Sequence, residues 1–365
     1  MQGREIDFDC IDQELLVGRN IIYGAGYNGK LVYKLLKDKG VVIEGFYDDD
    51  SSRWGSEYCG HPIFSIDEFD YFDKEHINVI ISSMYINQIT EKTLNHGFKN
   101  IWITLNFLLE KEAKFHHFAE YSNNQQYLER LETLENRFDD ILSKQYFKII
   151  RKAVAAGRAD RDICDIYFDE KQYFLNCFKG KLEGINIIDA GAYTGDTLKE
   201  LMEQGEDVCG VYCFEADANN YKKLKNFKES LVYKNKVHCE KLALWDIHTW
   251  LGMKFDYYSA QIDLKSKKID VETTTINEYF AGIKVGFIKM DIEGAELRAL
   301  RGGMEVIKRD RPILAISIYH SLNDRVDIPE MLMDELEDYH FFIRHHSYTY
   351  SETVMYCVPK EERDF

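Results

Sequence analysis

Several things are scarce in this chain. Proline is one, with four in 365 residues. No Pro- or Gly-rich stretch separates one half from the other, so the halves are expected to join through helices rather than a flexible tether. Cysteine pairs are another. The eight cysteines, at 10, 59, 164, 177, 209, 213, 239 and 357, form no C-x-x-C, which leaves a zinc site without its paired spacing. Most lie in apolar stretches, and buried reduced thiols of a cytosolic protein are expected. No apolar run approaches the ~20 residues that a membrane-spanning helix needs. The opening "MQGREIDFDC" lacks the basic, apolar, small-residue succession of a secretory leader, so a cytoplasmic location is expected. Positive charge is also short: 46 Lys and Arg face 63 Asp and Glu, a net charge of -17. That argues against nucleic acid or an anionic membrane as partner, because phosphate binding needs clustered cations.

What is present suits about two domains, with 45% hydrophobic and 14% aromatic residues to build their cores. Residues 20–107 alternate strand and helix: "NIIYGAG", "GKLVYKLLKDKG", "VVIEGFYDDD", "SIDEFDYF", "INVIISS", "QITEKTLNHG" and "NIWIT". That order implies a parallel sheet, about one mononucleotide-binding half of a doubly wound fold. We read 1–107 as a Rossmann-like nucleotide-binding module, 108–180 as a helical linker or cap, and 181–365 as a second α/β domain. In the middle part Tyr127, Leu131, Leu134, Phe138, Ile141 and Leu142, extended by Gln145 and Ile149, mark one amphipathic helix. From 181 strands are expected at "INIIDA", "VCGVYCFE", "VHCEKLAL", "GFIKMDI" and "RPILAISIYH". "YHFFIRHH" and "TVMYCVP" should then form an antiparallel pair. A parallel sheet closed by such a pair suits seven strands with helices on both faces. The insert 247–272 alternates at period two and reads as a β-ribbon.

The chain carries two strand–glycine–helix loops. The first, "NIIYGAGYNGK", has Gly24, Gly26 and Gly29 in the G-x-G-x-x-G spacing, with Asp48 19 residues beyond Gly29. Bare backbone at a helix start suits a pyrophosphate, and a carboxylate at that distance suits ribose hydroxyls. The competing reading is a fold element whose glycines only turn the chain. A dehydrogenase is the weaker reading, since the half-fold is short for a whole dinucleotide. The Tyr33–Lys37 and Tyr221–Lys225 pairs sit on helices away from the strand ends.

The second loop, "NIIDAGAYTGDT", reads Asp189-x-Gly191-Ala192-Tyr193-x-Gly195. An acid at the strand end repels a pyrophosphate and welcomes a cation, so S-adenosylmethionine fits better. Glu215, 20 residues after Gly195 and followed by Ala216, can accept both ribose hydroxyls. Leu242 and Ala243 are placed to flank an adenine, with core packing as the alternative.

The blocks "IIDAGAYTGDT", "VYCFEADANNYKKLKN", "EKLALWD", "VETTTINEYF" and "GFIKMDIEGAELRALRGG" follow in order. Together they resemble the FkbM-type S-adenosylmethionine-dependent methyltransferases, over about 181–365. The resemblance implies a class I methyltransferase sheet and methylation of an oxygen on a sugar, polyketide or related small molecule. It implies that Asp189, Gly191, Gly195 and Glu215 bind the donor, and that Asp291 stands where donor and acceptor meet. The first 107 residues resemble the nucleotide-binding module at the front of some bacterial sugar acyltransferases. That implies a nucleotide-linked sugar, as acceptor or effector, at Gly24, Gly26, Gly29 and Asp48.

His320 is the preferred general base, at the end of the fifth strand, with Asp291 as runner-up. Glu293 is assigned to the acceptor, while Glu296 is read as a helix cap in the first turn. Arg344 and His345, with His346, are candidates for acceptor hydroxyls or a phosphate, against an ordinary exposed strand edge. No metal is required by the spacing, although Asp291, Glu293 and His320 are close enough in sequence order to converge. The expected activity is methyl transfer to a hydroxyl of a sugar, sugar nucleotide or glycan-related molecule. The alternatives are a non-catalytic nucleotide-sugar-binding protein and a nicotinamide-dependent oxidoreductase. Nothing in the chain opposes a homo-oligomer.

Overall fold

A computed structural model describes residues 3–255, 260–263, 266 and 269–361. The chain divides into two compact units, residues 1–112 with Ser347–Thr349, and 113–346 with 350–365.

The first unit contains strands β1 (Arg4–Glu5), β2 (Arg19–Tyr23), β3 (Gly45–Tyr47), β4 (Glu57–Tyr58), β5 (His61–Phe64), β6 (Ile77–Ile81) and β7 (Asn100–Ile103). They form one sheet in the order β1-β7-β6-β2-β3-β5-β4, parallel except for the β4–β5 hairpin. Strand β6, "INVII", is buried at all five positions, as a central parallel strand covered on both faces must be. The helix Tyr27–Asp38 follows the first glycine loop. A shorter one at Ile66–Asp70 starts on a capping box, with Ser65 and Glu68 exchanging side-chain and backbone hydrogen bonds.

The second unit contains β8 (Asn186–Ala190), β9 (Gly210–Phe214), β10 (Val237–Glu240), β11 (Ala243–Leu244), β12 (Trp250–Phe255), β13 (Ala260–Asp263), β14 (Val271–Thr274), β15 (Phe287–Met290), β16 (Ile313–Ser317), β17 (Tyr339–His345) and β18 (Thr353–Pro359). Its main sheet runs β10-β9-β8-β15-β16-β18-β17, with the last two antiparallel as expected. The smaller sheet, β11-β14-β12-β13, realises the ribbon expected of the insert. Residues 256–259, 264–265 and 267–268 of that insert lie outside the described residues.

Three expectations change. The single helix through 127–149 is two helices, Gln125–Arg137 and Ile141–Ala156. Phe138 turns extended, and Asp140 caps the second helix by accepting from Ser143 N at 3.1 Å. The apolar spacing runs across the break, but Ile141 ends 72% exposed. "VHCEKLAL" is also two strands in two sheets, so Leu242 and Ala243 leave the main sheet, half-buried. The eight cysteines are unpaired, yet only Cys213 and Cys357 are buried; an apolar neighbourhood in sequence did not place the others in the core.

Candidate functional site

The second glycine loop joins β8 to the helix Asp196–Gln204. Gly191 has φ +76 and donates to Phe214 O at 3.0 Å; a Cβ there would fall 1.8 Å from Asp291 O. No other residue fits that crossing. Gly195 is needed for a similar reason, since its Cβ would meet the Phe227 ring at 2.5 Å. Ala192 is wholly buried and Tyr193, with φ 45, is 54% exposed. Glu215 braces the loop: its Oε2 accepts from Tyr193 N at 2.9 Å and its Oε1 from Asp217 N at 2.7 Å. Each oxygen keeps a second lone pair for a ligand hydroxyl. Burial outweighs those two N–H donors and lifts its carboxyl to about 7. Ala216 beside it is half-buried.

Asp189 does not face the loop's ligand side. It is 1% exposed and paired with Lys289 Nζ at 3.1 Å, its register partner on β15. The same ammonium donates to Ala190 O at 3.1 Å and Gly191 O at 2.7 Å. Burial opposes its charge, but Asp189 and Asp291 outweigh burial and hold Lys289 above its ordinary range. The expected attraction between Asp189 and a cationic ligand is therefore corrected. Its charge is paired with Lys289 inside the protein, while burial still holds its carboxyl above the usual range.

The carboxyl ends of β15 and β16 carry a second cluster. Strand β15 runs into "DIEGAE", where Glu293 (φ 59) and Gly294 (φ 93) are both left-handed. That turn folds Glu296 back beside Asp291. Asp291 Oδ2 accepts from Tyr173 OH at 2.9 Å, and its Oδ1 lies 2.9 Å from His320 Nε2. Glu296 Oε1 accepts from Ile292 N at 2.7 Å and lies 3.2 Å from the same His320 nitrogen. Glu293 Oε2 is 3.5 Å from His320 Nδ1. Side-chain exposure is 6% for His320, 0% for Glu296, 25% for Asp291 and 38% for Glu293, so the cluster is buried at its back and open at its front.

Electrostatics changes the role of His320. Burial disfavours its charge, but Glu296 and Asp291 outweigh burial and raise its pKa well above the ordinary value. Asp291 is held well below the carboxylate range, where His320, Lys289 and the Tyr173 hydroxyl overcome burial. A protonated imidazole has no lone pair with which to accept a proton. The raised pKa therefore speaks against a neutral His320 as general base. Asp291, Glu296 and His320 also bring one ligand atom each to within 4.8 Å of one another, whereas the sequence, which required no metal, left open a convergence of Asp291 and His320 with Glu293.

Arg344 and His345 stand apart from this cluster and take structural partners. Arg344 Nη1 bonds Asp140 Oδ1 at 2.8 Å, and its guanidinium lies over the Phe168 and Phe342 rings. His345 is 1% exposed with Nδ1 2.9 Å from Thr353 Oγ1. His346 bonds Tyr356 OH at 2.9 Å, and burial pushes its pKa down to about 4. The expected exposed, ligand-binding edge is covered, because Phe168 N bonds His345 O and helix 141–156 packs on β17.

In the first unit Gly24 has φ +111, and a Cβ on Gly29 would sit 2.0 Å from Gly24 O. Gly26 differs, since a Cβ there would meet nothing within 4 Å. Asp48 Oδ2 accepts from Ala25 N at 2.8 Å, and Arg53 Nη1 stands 3.9 Å from that oxygen. Tyr33 OH pairs with His61 at 3.0 Å, and Tyr221 OH donates to Cys239 O at 3.3 Å.

Lys289 and Tyr173 escaped the sequence reading, and Glu296 was read as a cap alone. Lys289 had a signal, a lone cation inside the apolar run "GFIKMDI". Tyr173 had none, being 118 residues from Asp291.

Comparison with known proteins follows these observations. Residues 189–350 match the family model described as the methyltransferase FkbM domain, and residues 17–103 match the C2185-like N-terminal model. The latter match is not to a sugar acyltransferase module. No curated protein matches the chain. Among solved structures, the methyltransferase FkbM from Methylobacillus flagellatus KT is 19% identical, with 93% of this chain and 89% of that chain covered at a TM-score of 0.56. Aeropyrum pernix fibrillarin, solved with natively bound S-adenosyl-L-methionine, is 13% identical over 48% of this chain and 67% of its own, at a TM-score of 0.31. The fibrillarin likeness is too distant to bear on this chain. The second unit has a methyltransferase fold, a mixed α/β architecture with the seven-stranded sheet of class I enzymes.

Proposed function

We propose that this protein is an S-adenosylmethionine-dependent O-methyltransferase acting, in the cytoplasm, on a hydroxyl of a sugar, sugar nucleotide or glycan-related small molecule. The observation that carries this is the placement of the polar cluster. Asp291 and His320 stand at the carboxyl ends of adjacent parallel strands, beside the glycine loop at the β8–β15 switch point where open α/β sheets bind ligands. Gly191, Ala192, Tyr193, Gly195, Glu215 and Ala216 would hold the donor, with Leu242 and Ala243 toward its adenine. Glu215 fits that task, since both of its oxygens are oriented by backbone N–H groups and retain lone pairs. S-adenosylmethionine supplies a methyl group on a good leaving group when bound. The chain's own tasks are then to align an acceptor oxygen and to manage its proton.

Alignment should dominate, since fixing two reactants in line is worth roughly 7–11 kcal/mol. Asp291 is the partly exposed member of the cluster and would accept the acceptor's hydroxyl hydrogen, with His320 and Tyr173 holding its carboxylate in place. Glu293, also exposed, would contact acceptor hydroxyls. In the first unit Gly26, with open space over it, supports binding of a nucleotide-bearing ligand, flanked by Gly24, Gly29 and Asp48. Calorimetry with S-adenosylmethionine is the test. The wild type should bind it, and Glu215→Ala should weaken binding at least about tenfold. Absence of binding would overturn the proposal. One observation favours a second reading, a binding protein without catalysis: His320 Nε2 faces Asp291 and Glu296, which raise its pKa well above the ordinary value and disfavour its acting as a base. A methylated product from a panel of sugar nucleotides would exclude it.

A further inference from the structure

We propose that Asp291, Glu296 and His320 form a site for one hard divalent cation of the Mg²⁺ or Mn²⁺ class. Three observations carry it. The first is spacing. His320 Nε2 lies 2.9 Å from Asp291 Oδ1 and 3.2 Å from Glu296 Oε1. Metal–ligand bonds of about 2.1 Å at right angles put neighbouring ligand atoms about 3 Å apart, the edge of an octahedron. The second is an imbalance. Nε2 carries at most one hydrogen, and that hydrogen faces two carboxylates. It cannot satisfy both, whereas an ion at their centre would.

The third is Glu296. Its side chain is wholly buried, and Oε2 has no hydrogen-bond partner. An uncompensated carboxylate oxygen away from water is costly. Asp324, 8% exposed, adds another carboxylate to the neighbourhood, its Oδ2 taken by Ser321 Oγ at 2.7 Å. The nearby buried Arg325 does not pair with these acids. It bonds Tyr146 OH and the carbonyl oxygens of Tyr319 and Tyr350.

The surrounding groups orient the ligands as metal sites require. Tyr173 OH holds Asp291 Oδ2, Ile292 N holds Glu296 Oε1, and Glu293 Oε2 faces His320 Nδ1. That approach favours a hydrogen on Nδ1, so a bound ion would take the place of the Nε2 hydrogen and give the carboxylate–histidine–metal arrangement. Two carboxylates, with no thiolate, lean toward a hard ion, the imidazole being a ligand that softer metals share. The exposure of Asp291 and Glu293 gives it a way in. Three protein ligands leave coordination positions for water or for oxygens of a hydroxylated acceptor. This last role, though not the site, rests on the proposed methyl transfer.

The test uses full-length protein stripped with chelator and titrated with MnCl₂, free Mn²⁺ being read by electron paramagnetic resonance. One ion per chain is expected, displaced by excess Mg²⁺. Glu296→Gln and His320→Asn should each weaken binding at least about tenfold, and Glu293→Gln, at an exposed position, by about 10–100-fold through ligand orientation. Circular dichroism reports whether the buried variants fold, and Glu293→Gln decides the matter if they do not. No Mn²⁺ binding, or equal binding by wild type and all folded variants, overturns the site. Binding of Zn²⁺ without Mn²⁺ or Mg²⁺ overturns the hard-cation assignment. Calorimetry of S-adenosylmethionine on the Mn²⁺-loaded protein separates the two proposals, since loss of donor binding there removes methyl transfer and leaves the ion site standing.

Discussion

The two glycine-loop edges of this protein are built to one plan and charged differently. In both, the first glycine donates to the end of the second strand: Gly24 N to Tyr47 O at 2.8 Å, Gly191 N to Phe214 O at 3.0 Å. In both, the acid after that strand accepts a loop N–H, Asp48 from Ala25 and Glu215 from Tyr193. The residue after the fourth strand bonds back to the first: Ser82 N to Tyr23 O, Asp291 N to Ala190 O, each at 3.1 Å. Glycines and the following acid are thus shared scaffolding, and they do not say which loop holds a reactive ligand. The fourth strand is where the two edges differ. Ile22 faces Ile80 in the first unit where Asp189 faces Lys289 in the second, and Ser82 stands where Asp291 stands. An apolar pair and a hydroxyl leave a quiet edge; an ion pair and a carboxylate leave one that can do acid–base and ligand chemistry.

That contrast can be attacked directly. The largest effect is expected from Lys289→Met, which leaves Asp189 buried without its cation and should cost about 3–5 kcal/mol in chemical denaturation. Copying the first unit's pair into the second, Asp189→Ile with Lys289→Ile, should recover stability to within about 1 kcal/mol of wild type or exceed it. Donor affinity measured by calorimetry should nevertheless stay low, because Ala190 O and Gly191 O lose the ammonium that anchors them. A double variant as unstable as the single one would show that the ion pair is not interchangeable with its apolar counterpart.

Gly191→Ala comes next. The added Cβ meets Asp291 O at a left-handed φ, and a loss of about 1–3 kcal/mol from strain alone is expected in a thermal melt.

A smaller effect concerns pH. Burial lifts the Glu215 carboxyl to about 7, and the proposed bonds to donor hydroxyls need it ionised. Donor affinity should be flat above that pH and fall by up to about tenfold per unit below it. Glu215→Gln should flatten the profile, while Asp48→Asn in the first unit should leave it unchanged. The raised pKa has an opposite consequence for folding. Between 4.5 and about 7 the folded chain keeps a proton that the unfolded chain has released, so this group's contribution to stability declines as pH rises through that window.

The smallest effect is Gly26→Ala, with open space and an ordinary φ of -98, expected within about 0.5 kcal/mol of wild type by melting. If the same change abolishes binding of a nucleotide sugar, the bareness of Gly26 serves a ligand rather than the fold.

Much of the architecture was legible in advance. Runs such as "INVII" and "ILAIS" are apolar but for Asn78 and Ser317, because parallel central strands are covered on both faces. The helix break at Phe138–Asp140 was harder to see, since one apolar period spans it and only the cap at Asp140 marks it. The second glycine loop was legible as a loop through its glycines and Glu215. The roles at the sheet tip were not. "DIEGAE" gives no hint that a left-handed Glu293–Gly294 turn folds Glu296 onto His320, and Arg344 and His345 looked as available as any strand-end cations.

From the chain alone follow two doubly wound sheets and two glycine loops, because each depends on periodicity and on neighbours a few residues apart. The meeting of Asp291, Glu296 and His320, the pairing of Asp189 with Lys289 and the raised pKa of His320 needed the folded molecule. Register between parallel strands brings residues 29 or 100 positions apart to hydrogen-bonding distance. The charge each then carries is set by the few ångströms around it, not by its place in the sequence.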